Sequence, residues 1–202
     1  MSEKDIYTAP ESELGNEPID ESKCKFFPTS QRKLVILFIA TFGLYPVYWF
    51  YKNWVLHKKN VEKKIMPLLR AIFYIFFTHS LFRRVEDAAM RKGISISWSA
   101  GPLAAIFVIL TIVSSILDRT AENSPTIGIV DYASLAIVFV LLGPIYMVQE
   151  VVNKINDDPQ GRLNSSFSIY NFIFIIIGVL MWMLVGVGLF QLDIGFINQI
   201  YN

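Results

Sequence analysis

The chain has 202 residues, 53% of them hydrophobic and only 17% charged, with 18 Lys and Arg nearly balancing 17 Asp and Glu. An aromatic share of 14%, including 16 Phe, argues against a water-soluble domain of ordinary composition. One cysteine excludes an internal disulfide and a cysteine-built metal centre, and two histidines are too few for a histidine-built one.

Residues 1–26 form the first unit. Met1 to Glu21 carries Glu3, Asp5, Glu11, Glu13, Glu17, Asp20 and Glu21 against Lys4 alone, with little to bury, so an acidic, disordered tail is expected. It lacks the basic start and following apolar stretch of a secretory signal. Cys24 reads as a thiol in a flexible region, with S-acylation beside a membrane as the functional alternative.

Residues 27–92 form an aromatic and basic membrane-associated region. Leu34 to Tyr51 is charge-free and just long enough to span, but Gly43 and Pro46 lie inside it. Proline removes a backbone donor and clashes with the preceding turn, so a kinked or re-entrant helix is expected over 34–54. Tyr48, Trp49, Tyr51, Lys52 and Trp54 suit the headgroup layer as interface anchors. Basic residues flank this segment on both sides. A hairpin turning at Gly43 and Pro46 keeps both flanks in the cytoplasm, whereas a spanning helix puts the acidic tail outside; the hairpin is the expectation. His57, in a run of lysines, is expected to be solvated.

The next apolar stretch covers 66–83, but its uncharged part, Ala71 to Phe82, is too short to cross. An interfacial helix is expected, closed by Arg83 and Arg84 as anchors. Snorkelling of Arg70 to the surface would stretch it into a short span instead.

Residues 93–202 hold three charge-free runs, Gly93 to Leu117, Tyr132 to Gln149 and Leu163 to Leu192, which predict transmembrane helices at about 98–117, 132–149 and 169–190. The third is apolar all round, which suits lipid. Burial inside a soluble protein would need more surrounding chain than 202 residues provide. Residues 23–92 hold 14 of the 18 Lys and Arg against Glu62, Glu86 and Asp87, so that side is cytoplasmic. The loop from Asp118 to Asp131 then lies outside, Glu150 to Ser166 inside, and the tail from Gln191 outside. The fold class expected is an all-α integral membrane protein with three to five hydrophobic helices.

Polar residues at such a membrane are the candidates for chemistry. His79 lies in an apolar stretch, where an ionisable ring often marks function; capping near the interface is the plainer reading. Transport would be favoured by a buried His79 paired with Arg70. A lipid-modifying enzyme would bring Glu86, Asp157 and Asp158 into one pocket, although Asn-Asp-Asp-Pro-Gln-Gly reads equally as a turn. No phosphate loop, serine-nucleophile motif or HExxH spacing is present, so no catalytic residue, cofactor or metal is expected. Gly178, Gly186 and Gly188 permit close helix contact, within the bundle or between copies. The basic residues favour anionic lipid headgroups over nucleic acid, with a protein partner or self-association as further candidates.

Thr-Phe-Gly-Leu-Tyr-Pro-Val-Tyr-Trp-Phe-Tyr-Lys-Asn-Trp, from Thr41 to Trp54, resembles a group of bacterial multi-pass membrane proteins of unknown function. The likeness continues through Pro67 to Phe73 and Leu81-Phe82, with Pro46 where similar chains tend to carry an acid. It implies a bacterial cytoplasmic membrane and assigns no ligand or catalytic residue. The function expected is a non-catalytic membrane or partner-interaction role, with a small-solute or ion transporter and a lipid-modifying enzyme as alternatives.

Overall fold

The computed structural model describes residues 24–59, 65–123 and 128–200. Its regular structure is helical: α1 (Gln31–Ala40), α2 (Tyr45–Lys59), α3 (Pro67–Ile72), α4 (Tyr74–Arg91), α5 (Ala100–Glu122), α6 (Ile129–Ile155) and α7 (Ile169–Ile200), with a 3-10 turn at Arg162–Asn164.

Three helices are long and apolar enough to cross a bilayer, namely α5, α6 and the Ile169–Gly188 part of α7. α5 and α6 both outrun their charge-free runs. α5 passes through Asp118 and Arg119 to Glu122, and α6 through Glu150 and Lys154 to Ile155, because charges cost little once a helix leaves the hydrocarbon. α6 is the hub, with 50% of its apolar window buried against 28% in α5 and 6% in α7.

The segment over 34–54 is two helices, not one. α1 has 10 residues, so at about 1.5 Å each it is roughly 15 Å long, half of a span. It starts beside the loop before α7, where the Ser30 N–H donates to the Asn164 carbonyl at 3.4 Å. It ends against the middle of the α7 span, where the Trp182 indole N–H donates to the Ile39 carbonyl at 3.0 Å. α2 then returns, because the Asn53 side chain accepts the Phe27 N–H at 3.0 Å. Both ends of the α1–α2 hairpin therefore lie at one end of the molecule, and its tip lies deep among α6 and α7.

The tip resolves its own backbone. Phe42 and Gly43 adopt left-handed φ of 49° and 78°, which a non-glycine residue reaches only at a cost of about 1–2 kcal/mol. The Phe42 ring stacks on Trp182 at 4.3 Å, which offsets that strain. Thr41, Phe42, Gly43, Leu44 and Val47 donate to the carbonyls of Leu37, Ile39, Phe38, Thr41 and Leu44, and the Tyr45 N–H finds the Thr41 hydroxyl. Pro46 has no donor to satisfy. A break in helical backbone shielded from water is tolerated only when its polar groups are paired in this way.

Residues 66–83 also divide, with Phe73 joining α3 to α4. α4 runs on to Arg91 because it is amphipathic: Leu81, Phe82, Val85 and Ala89 are buried while Phe76, His79, Arg83 and Met90 face outward. The interior joining α2, α4 and α5 is aromatic. Phe50 lies 5.3 Å from Tyr74, 6.5 Å from Phe82 and 6.2 Å from Phe107 between ring centroids, within the range of favourable ring pairs.

Candidate functional site

The richest polar arrangement surrounds the chain just before α1. Here five side-chain amides bond the backbone of Lys25 to Thr29. Asn53 accepts from Phe27 N, Gln149 donates to Phe27 O at 3.2 Å, and Asn153 donates to Thr29 O at 2.9 Å. Asn156 donates to Phe26 O at 2.8 Å and accepts from Lys25 N at 3.1 Å, while Asn164 donates to Pro28 O at 2.9 Å. The amides also bond one another and their surroundings: Gln149 reaches Asn153 at 2.7 Å and accepts the Trp49 indole N–H at 2.5 Å. Asn53, Gln149 and Asn153 are fully buried. In so dry a place each lost partner would leave a polar group unsatisfied at about 1–3 kcal/mol.

Two further features close this cradle. Gly161, at φ 64°, packs against the main chain, and a Cβ there would stand 2.5 Å from the Thr29 carbonyl oxygen. Buried Lys33 donates to Asn164 Oδ1 at 2.6 Å and to the Ser166 carbonyl at 2.8 Å. Cys24 and Phe26 are buried as well, which corrects the disordered tail expected through residue 26; Met1 to Lys23 lie outside the described residues.

The acids singled out in the sequence are not brought together. Glu86 Oε1 accepts the Ala100 N–H at 3.2 Å at the start of α5. Asp157 pairs with Lys92 at 2.6 Å, and Lys92 also donates to the Ile155 carbonyl. Asp158 is buried and accepts the Arg162 and Leu163 N–H groups at 2.9 and 2.7 Å, which holds the 3-10 turn. Each carboxylate has a separate structural task. His79 is exposed on the outer face of α4, while Arg70 turns inward against aromatic rings, so neither forms a buried pair with the other.

Several aromatic positions differ from expectation. Trp49 and Trp54 are fully buried in protein, whereas Tyr48 and Tyr51 are 48% and 38% exposed. His57 is buried rather than solvated, its ring edge-on to Trp54 at 5.7 Å. Lys52 lies over the Phe27 ring at 5.2 Å, and Arg83 lies 3.9 Å from Asp87 one turn on.

Trp54 is the centre of a basic cluster. The Arg70 guanidinium lies 4.4 Å from its ring and 5.0 Å from Phe77, and the Arg84 guanidinium lies 5.8 Å from Trp54. Burial, then the neighbouring Arg84 charge, lower Arg70 from its ordinary value. Leu68, Leu69, Ile72, Phe73 and Phe76 project outward beside this cluster. On the opposite flank an apolar cleft of about 800 Å³ separates the hairpin from α7, lined by Leu37, Phe42, Tyr45, Phe174, Ile177 and Met181 among others.

The fold is that of an all-α membrane protein, with three helices among the described residues long and apolar enough to span a bilayer. No protein-family model, no curated protein and no solved structure matches this chain.

Proposed function

We propose that this protein serves a non-catalytic role in a bacterial cytoplasmic membrane, where its surfaces engage anionic lipid headgroups and a protein partner or a second copy. One observation carries the reading: the buried polar side chains of the cradle and the three candidate acids are individually engaged in holding backbone or a neighbouring lysine, so none is left converging on a substrate. In this reading α5, α6 and α7 span, α1 and α2 dip into the bilayer from the cytoplasmic side and return, and α3 with α4 presents an apolar face to lipid while the Arg83 and Arg84 part of α4 lies in the interface.

Interfacial placement is supported by the exposed apolar face of α3 and α4 beside Arg83 and Arg84. The test is crosslinking in intact membranes followed by mass spectrometry of what co-purifies. Anionic phospholipid, with or without a stoichiometric protein, is the expected result. Turnover of a lipid or solute that disappears in the Glu86→Gln, Asp157→Asn, Asp158→Asn variant at normal membrane level would overturn the reading.

A further inference from the structure

Trp54 is fully buried, yet its indole N–H has no acceptor among the described residues. The Arg70 Nη1 and Arg84 Nε donors beside it are likewise shut off from solvent and unmatched, and neither guanidinium has a carboxylate partner among the described residues. Three unmet donors around one ring, two of them cationic, are an unusual concentration. Buried donors are nearly always paired, so a group of them signals an acceptor that arrives with a ligand.

We infer that Trp54, Arg70 and Arg84 form a binding site for a phosphate-bearing anion, and that the phosphate is that of an anionic phospholipid headgroup. The inference rests on the membrane reading above and names the partner of the basic cluster. Two arginines at close quarters repel one another, and a phosphate between them turns that repulsion into charge-assisted hydrogen bonds.

Depth selects the lipid as the source. Glu86 caps the first turn of α5 through the Ala100 N–H, and Arg84 precedes Glu86 by two residues, about 3 Å along α4. Arg84 therefore sits at the level where an apolar span begins, which is where phospholipid phosphates lie. Phe73 and Phe76 stand farther along α4 toward the bilayer interior, exposed and suited to the acyl chains of the same lipid.

The experiment uses the full chain in detergent micelles, with native mass spectrometry of bound lipid. Phosphatidylglycerol should be retained in preference to phosphatidylcholine. Arg70→Gln with Arg84→Gln should lower retention of phosphatidylglycerol by roughly tenfold or more, taking about fivefold per basic residue near an anionic surface. Arg91→Gln with Arg162→Gln removes the same charge from exposed positions of α4 and the 3-10 turn and should change retention little. Trp54→Phe, which keeps the ring and removes the donor, guards against a misfolded double variant and should give a smaller loss.

Inorganic phosphate at millimolar concentration should not displace the lipid; displacement would assign the site to a free anion and overturn the lipid source. Equal losses from the two double variants would reduce the site to net charge and overturn it altogether. If the wild type were recovered in the soluble fraction after alkaline extraction of membranes, the membrane reading itself would fail, separately from the site.

Discussion

Trp49, Phe50 and Trp54 in α2 are fully buried, whereas only 6% of the α7 span is buried, although both stretches are rich in large apolar side chains. The same residue chemistry does two jobs in one chain. In the region of α1, α2 and α4, apolar rings pack inward on α5 and α6, and a buried amide cradle fixes the entry of the chain. Around α7, Ile173, Phe174, Ile176 and Leu180 face outward, where lipid is as apolar as they are. No hydrophobic gain drives α7 onto its neighbours in such a solvent, so close packing and hydrogen bonds must hold it. Gly178 and Trp182 supply both: a Cβ at Gly178 would meet the Ala40 carbonyl oxygen at 2.0 Å, and Trp182 bonds the carbonyl of Ile39.

This contrast can be broken most severely at Gly178. Gly178→Leu must push α7 off the end of α1, and a loss of at least about 3 kcal/mol is expected in thermal melts of the purified protein. Gly186→Ala, with nothing within 4 Å of the added carbon, should change stability by less than about 0.5 kcal/mol. If the two substitutions behaved alike, α7 would not be docked through Gly178.

The cradle should respond next. Asn153→Ala orphans the Thr29 carbonyl and a Gln149 donor in a dry interior, for an expected loss of about 2–4 kcal/mol in the same melts. Trp49→Phe leaves Gln149 Oε1 without its indole donor and should cost about 2 kcal/mol. Trp182→Phe keeps a ring to stack on Phe42 but removes one of the two donors to the Ile39 carbonyl, which retains the Phe42 N–H, for about 1 kcal/mol. A cradle that tolerated Asn153→Ala better than α7 tolerates Trp182→Phe would reverse the comparison.

The three spans were legible because charge-free runs of spanning length leave a helix with no face that water would tolerate. The break at Gly43 was legible too, since glycine and proline announce themselves locally. The cradle was not, because four of its five amides are more than a hundred residues from the backbone they hold, as with Gln149 and Phe27. A local trace of it exists: Gln149, Asn153 and Asn156 recur at helical spacing on one face where the long apolar helix α6 ends, and that pattern marks a polar contact awaiting a partner. Burial of Trp49 and Trp54 was hidden for a different reason. Hydropathy and aromatic content are the same for a ring facing lipid and a ring facing protein, and only the tertiary neighbours decide.

The central claim is that the α1–α2 hairpin enters and leaves on one side while α5, α6 and α7 cross. Single cysteines placed at Ser12, Lys59 and Glu122 of a Cys24→Ser chain test it with a membrane-impermeant maleimide on intact cells. The account predicts labelling at Glu122 from outside, and at Ser12 and Lys59 only after the membrane is opened. Labelling of Ser12 from outside with Lys59 protected would show that the segment spans, and would contradict it.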